Sequence, residues 1–502
     1  MTISPSLDLP RIARARSMNA RAADQIDSIL VLAPTGAEAR TFADLPEPQR
    51  WRDLHARDKA RAGSVRSTTL ANSRQTQAVL GYLAPEASPF ERLALAGRML
   101  KETTARAPEN IAIVSTLGNA TSTVSLDALL AAAFAHAFTL PSFRSTRDTR
   151  KRVRQITLVG GDDVDIRRAS ASARGNNLVR WLTALPPNKL DARAYRKLIA
   201  EIAKENGLSM RWLDEDQLRR LGANAFLAVA AANSEPGAGI AHIRYRPRGN
   251  KREPDVALVG KGIIFDTGGI NLKPHKSMLD MHIDMSGSAV ALATLVALSE
   301  LRVPFAVDAW LAITENRIGP HGFKPQDVIR ASNGVTIQVI HTDAEGRMAL
   351  ADTLALAGRT QPRLMMDFAT LTGASIYALT ERMSSVLTNR PELADKLVAA
   401  GRASGERVWN FPFDADFDSD LESKIADVIQ CSADGKGDHI LAARFLNRFV
   451  PEGVAWAHVD LSSVSRHGGL GHVNTELTGF GVRFALEALL GQKVLDGLER
   501  KK

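Results

Sequence analysis

Two apolar runs in this chain are each followed at once by a block of acids and bases, and no other feature limits its possible folds as much. After DVALVG (255–260) come Lys261, then Gly262-Ile263-Ile264-Phe265-Asp266-Thr267-Gly268-Gly269, then Lys273, Asp280 and Asp284. After TIQVI (336–340) comes His341-Thr342-Asp343-Ala344-Glu345-Gly346-Arg347. Charged groups beside apolar strand ends are costly unless they pair with one another or bind ions. A fold that accepts both blocks has to gather them around a polar crevice, as a parallel sheet with helical crossovers does at the carboxyl ends of its strands.

The flanking pattern agrees. Strands are expected at 241–247, 255–260, 305–314, 336–340, 364–369 and 455–461, with helical periodicity between most of them, for example over 286–301 and 348–359. Residues 1–160 alternate on a shorter scale, with strands at 28–34, 110–117 and 154–160 and helices at 89–102 and 126–137. The expected fold class is α/β. A small N-terminal α/β domain covers 1–164, a connecting helix and linker 165–190, and a larger C-terminal α/β domain 191–502, built on a central, mostly parallel sheet. A chain of 502 residues already calls for more than one hydrophobic core.

Composition removes several classes of function. Cys431 is the only cysteine, so an intrachain disulfide, a Cys-rich zinc site and a CxxC redox pair are all excluded. The strongly apolar stretch 128–135 falls far short of the ~20 residues that cross a bilayer, and the basic N-terminus lacks the apolar run of a secretory signal. No membrane partner and a cytoplasmic location are expected. The net charge of +9 is uneven: residues 1–160 hold 22 Lys+Arg against 14 Asp+Glu, leaving 42 against 41 for the rest. The basic residues form no single stripe, so they read first as a solvated surface, with nucleic acid kept as a further partner.

The acids carry the chemistry. Asp266, Asp284, Asp343 and Glu345 would repel one another in one crevice unless cations were present. Oxygen-rich ligands with few imidazoles suit two bridged divalent ions, Zn or Mn with Mg as a third candidate, about 3.5–4 Å apart. Such a pair lowers the pKa of a bridging water toward ~7 and so provides a hydroxide.

These blocks resemble the leucyl aminopeptidase family. HTDAEGRM (341–348) is similar to its NTDAEGRL signature, departing at His341 and Met348, and VGKGIIFDTGGINLK (259–273) with LDMHIDMSGSA (279–289) resembles its VGKGITFDSGG run. The similarity continues through LPPN (185–188), FATLTGA (368–374) and TGFGVR (478–483) and spans roughly 165–485. The resemblance implies that Lys261, Asp266, Asp284 and Glu345 surround one metal ion, and Asp266, Asp343 and Glu345 the other. It implies that Lys273 polarises the scissile carbonyl and that Arg347 holds a bicarbonate acting as general base. Met281 and Thr370 would line the pocket for the first side chain, with the backbone at Leu371 and Gly373 holding the substrate. The implied activity is release of N-terminal residues, Leu-like preferred, from peptides by a metal-bridging hydroxide, in a homohexamer. A lysine ligand has to be a neutral amine, so a depressed pKa is expected at Lys261, from burial and adjacent dications.

Two rival functions share some of these features: a two-metal phosphoesterase, and a nucleic-acid-binding protein with incidental peptidase activity. His275 and His282 lack HExxH spacing and read as rim residues. Gly268-Gly269 read as permitting close backbone approach, and Ser286 and Ser288 as small residues at a crowded helix start. The run His467–472 reads as a flexible surface turn, and Cys431 as an inert thiol.

Overall fold

In the computed structural model, which describes residues 6–57, 60–146, 149, 151–249 and 253–500, the apolar runs of the N-terminal region pair into one sheet. Its strands are β1 (Arg11–Ala15), β2 (Ser28–Pro34), β3 (Val65–Thr69), β4 (Gln77–Leu83), β5 (Asn110–Ser115) and β6 (Gln155–Val159), in the order β1-β6-β5-β2-β4-β3. All neighbours are parallel except β3, which runs antiparallel to β4. Strands β2 and β4 are buried on both faces. The helices Pro89–Glu102 and Asn119–Ala137 cover one side, and Phe42, Trp51 and Leu54 the other. The 89–102 helix starts where it does because Ser88 and Glu91 cap each other's backbone N–H and Pro89 presets the first turn.

A larger sheet follows. It contains β7 (Ser209–Asp214), β8 (Gly239–Tyr245), β9 (Val256–Asp266) and β10 (Val307–Asn316). Next in the chain, β11 (Val328–Arg330) and β12 (Thr336–Gln338) lie outside it. The large sheet resumes with β13 (Leu364–Ala369), β14 (Ser384–Thr388) and β15 (Val408–Asn410), and, after β16 (Val428–Ile429), ends with β17 (Ala455–Asp460). Its order is β15-β14-β17-β13-β9-β10-β8-β7. The four central strands β17, β13, β9 and β10 are parallel, while β14 on one flank and β8 and β7 on the other run antiparallel to their inner neighbours. The expected TIQVI strand is corrected here. Only Thr336–Gln338 is strand, and it joins β11 and β16 in a separate three-stranded sheet.

Two apolar helices enclose the centre of the sheet. Residues of Ser286–Glu300 pack with Val256 and Leu258 on one face of β9, and residues of Glu345–Gly358 with Ala257 and Val259 on the other. The approach of the first helix is backbone to backbone: a Cβ added to Gly260 would fall 2.5 Å from Ser288 Cα, and one on Gly287 would collide with Phe368 O. Ser286 and Ser288 are fully buried at this contact, and Ser288 Oγ lies 3.0 Å from Tyr195 OH. The stretch 275–300 is long and apolar enough to cross a membrane by length and composition, but 83% of its apolar 18-residue window is buried inside the protein's own fold, and the helix Ser286–Glu300 within it is a core helix.

The helix Ile166–Thr183 serves both cores. Ala169 packs with the N-terminal one, and Leu178, Val179 and Leu182 with the C-terminal one. The 467–472 run is not a free surface turn: His472 is buried, Asn474 Nδ2 donates to Gly97 O at 2.8 Å, and a Cβ on Gly97 would sit 2.7 Å from Gly471 O. That contact ties the loop to the 89–102 helix, a partner nearly 380 residues away that local sequence does not reveal.

Candidate metal centre

The first charged block belongs to the strand itself. β9 runs through Lys261 and ends on Asp266, so Lys261 is a strand-interior lysine with a side chain only 4% exposed. Gly346 makes room for it: a Cβ there would lie 2.5 Å from Lys261 Cε. Beyond Asp266 the chain turns through Gly268 and Gly269 at φ of +86° and +65°. Side chains at these positions would meet Asp343 Oδ1 and Thr342 Oγ1. The two blocks are stitched together here. Thr342 Oγ1 donates to Gly268 O at 2.7 Å, Asn271 N donates to Thr342 Oγ1, and Thr342 N donates to Asn271 Oδ1, both at 2.9 Å.

The acids converge. Oxygen atoms of Asp266, Asp343 and Glu345 lie within 4.8 Å of one another. Lys261 Nζ sits 2.9 Å from both Asp284 Oδ2 and Glu345 Oε1 and donates to Thr370 O at 3.0 Å. Lys273 Nζ reaches Asp266 Oδ2 at 2.9 Å and Asp343 Oδ1 at 2.5 Å. Asp284 Oδ1 accepts the Thr370 hydroxyl at 2.6 Å. Asp284 Oδ2, Asp343 Oδ1 and Glu345 Oε1 are buried oxygens, each within 2.9 Å of a lysine ammonium and, apart from that ammonium, without a hydrogen-bond partner among the described residues. Hard oxygens left in this condition fit divalent cations.

Without bound ions the electrostatics at Lys261 favour the charged amine. Burial does pull the Lys261 ammonium toward neutrality, but Asp284, Glu345 and Asp266 outweigh it and hold its pKa above the ordinary lysine value. The dications that would reverse this balance have to displace the ammonium's hold on those acids. Lys273 is likewise raised by Asp266, Glu345 and Asp343 against its burial. Burial, with the mutual repulsion of the acids added to it, pushes Asp284, Asp343 and Glu345 above the usual carboxylate range.

A cavity of about 780 Å³ opens on this cluster. Lys261, Asp266, Lys273, Met281, Asp284, Asp343, Arg347, Thr370, Leu371 and Gly373 all line it, whereas Glu345 lies beneath its wall. Arg347 is almost fully buried, with Nη2 on both oxygens of Asp438 at 2.8 and 2.9 Å and Nη1 on Gln430 O at 3.1 Å. Its Nε has no hydrogen-bond partner among the described residues. His341 stands exposed on the rim. His275 is exposed, His282 is half-buried, and neither lines the cavity.

Sequence reading misses three residues of the centre. Asn316, at the end of β10, donates from Nδ2 to Asp266 Oδ1 at 2.8 Å, Thr342 O at 3.1 Å and Glu345 Oε2 at 3.2 Å. A register shift between Thr314 and Asn316 brings it beside Asp266. Asp438 and Asp460 are the others, the first on Arg347 and the second under the 371–372 backbone. All three lie outside the two charged blocks; the position of Asp460 near the end of the strand-like run 455–461 is the one local signal among them.

The chain that carries this cluster is similar to known proteins. The profile of the cytosol aminopeptidase family, catalytic domain, matches residues 177–486. A protein of Gloeobacter violaceus named "Probable cytosol aminopeptidase" is 36% identical over 353 residues, 69% of each chain. A solved tomato leucine aminopeptidase mutant superposes with a TM-score of 0.85 at 27% identity, covering 98% of this chain and 99% of that one. A bottromycin maturation enzyme in complex with Mn superposes with a TM-score of 0.82 at 29% identity, covering 94% of this chain and all of the other.

Proposed function

The chain belongs to the cytosol aminopeptidase family and is a metal-dependent aminopeptidase; from that premise we propose how its residues release N-terminal amino acids from peptides. The observation that carries the proposal is the meeting of Lys261, Asp266, Asp284 and Asp343 in one cavity beside Lys273, with Glu345 directly beneath its wall. Lys261, Asp266, Asp284 and Glu345 would hold one divalent ion, and Asp266, Asp343 and Glu345 a second. The bottromycin maturation enzyme is in complex with Mn, which favours Mn among the candidates here, with Zn and Mg to be compared. When bound, the ions supply Lewis acidity and an acidified water.

The chain's own groups do the rest. Lys273 keeps its proton among the acids and polarises the scissile carbonyl. Thr370 orients both Asp284 and Lys261 through its hydroxyl and carbonyl. Leu371 and Gly373 offer backbone groups to the substrate at the cavity wall, and Gly373 leaves that wall open. Met281, with the Thr370 methyl, gives the first side chain an apolar surface, which favours Leu-like residues. Arg347, at the cavity wall, would hold a bicarbonate as general base. We also propose a homohexamer acting on peptides in the cytosol. Hydrolysis of a panel of aminoacyl p-nitroanilides with Mn, Zn or Mg, and none of p-nitrophenyl phosphate, is the expected result. The reverse pattern would replace this reading with the phosphoesterase.

A further inference from the structure

Beneath the 370–372 loop lies a second buried polar group that the metal reading does not use. Asp367 on β13 and His458 on β17 are register partners, and both side chains are fully buried. Asp367 Oδ1 lies 2.7 Å from His458 Nδ1, and Asp367 Oδ2 accepts the Trp456 indole N–H, also at 2.7 Å. Two residues further along β17, and so on the same face, stands Asp460. It too is buried. Its Oδ1 accepts Leu371 N at 2.9 Å and Thr372 N at 3.3 Å, and its Oδ2 accepts the Thr372 hydroxyl at 2.6 Å.

The chemistry of these groups is interlocked. Burial favours a neutral His458, but the charge and hydrogen bond of Asp367, with Asp460 adding to them, outweigh it and raise its pKa above the ordinary histidine value. Its Nε2 is buried without a hydrogen-bond partner among the described residues. A protonated His458 in turn offsets part of the burial that raises Asp460. An ionised Asp460 is what the loop requires, because three N–H or O–H donors converge on its two oxygens. The loop so fixed carries Thr370, which holds Lys261 by its carbonyl and Asp284 by its hydroxyl. Neither lysine nor acid is touched directly by His458 or Asp367.

We propose that Asp367, His458 and Asp460 are positioning residues that lock the 370–372 loop, and through it set Lys261 and Asp284 for the ion those two would hold. The inference rests on the two-ion reading above and adds to it an asymmetry: the relay supports one ion only. Orienting partners of this kind typically change metal affinity 10–100-fold.

Titration of the EDTA-stripped, full-length chain with Mn, counting free ion by electron paramagnetic resonance, tests this. Wild type should bind two ions. His458→Gln, Asp460→Asn and the milder Thr372→Val, which removes the hydroxyl donor to Asp460 together with its acceptance of Ser375 N–H, should each weaken one ion at least 10-fold and leave the other at wild-type affinity. Two ions of unchanged affinity in the folded variants would overturn the relay, and so would equal weakening of both, which marks general loosening. If the buried-charge variants fail to fold, Thr372→Val decides alone. Fewer than two ions in wild type would remove the two-ion reading, a failure visible before any variant is measured.

Discussion

Lys261→Met removes the cation that lies 2.9 Å from both Asp284 and Glu345, in a spot where the lysine side chain is only 4% exposed. Met is unbranched and fits the same channel beside Gly346. At an effective dielectric of ~20, a 2.9 Å contact between unit charges is about 6 kcal/mol of gross attraction. After desolvation, breaking a buried pair by removing one partner leaves a net loss of ~3–5 kcal/mol. The loss depends on pH with a definite sign. Asp284 and Glu345 already have raised pKa values, and without Lys261 they rise further. A carboxylate raised in the folded state contributes stability that is complete below its unfolded pKa and disappears as pH climbs through the folded value. Urea unfolding of the EDTA-treated protein should therefore show a small deficit in the variant near pH 5 and the full deficit near pH 9. An equal deficit at both pH values, or none at pH 9, would refute the claim that Lys261 neutralises these acids.

Three further outcomes are expected. Lys273→Ala should lower kcat on leucine p-nitroanilide by about 10²–10³ while bound metal stays near normal; unchanged turnover would mean that another group polarises the carbonyl. Asn316→Ala, which strips one donor from both Asp266 and Glu345, should weaken Mn binding about 10–100-fold in an equilibrium titration. Glu406 lies fully buried on the backbone N–H groups of Gly481 and Phe484, and burial pushes its pKa up to about 7. Its raised pKa makes stability fall between pH ~4.5 and ~7, by ~3 kcal/mol, so Glu406→Gln should gain on wild type as pH rises from 5 to 8 in urea titrations. A gap that does not change with pH would count against it.

The parts of the fold that are legible in the sequence have local causes. The 89–102 helix can be placed to the residue because its cap, its proline and its apolar stripe lie within 15 residues. The charged blocks stand out because they break apolar runs, and the structure brings Lys261, Asp266, Asp284, Asp343, Glu345 and Lys273 to one cluster. The unread parts are set by distant partners. β1 and β3 are edge strands with polar, part-exposed sequences, held only by β6 and β4. Asn316 is a neutral amide whose role exists only where β10 meets β9, and Asp460 acts through backbone groups nearly 90 residues earlier. In the ion-free chain the sign of the Lys261 shift depends on a count of neighbouring carboxylates that spacing alone does not supply.

Anomalous diffraction at the Mn edge, from crystals grown with Mn, bears most directly on the core of this mechanism. Two peaks are expected between the side chains of Asp266, Asp284, Asp343 and Glu345, one of them within bonding distance of Lys261 Nζ. No peak there, or a single peak with Lys261 still paired to Asp284 and Glu345, would contradict it.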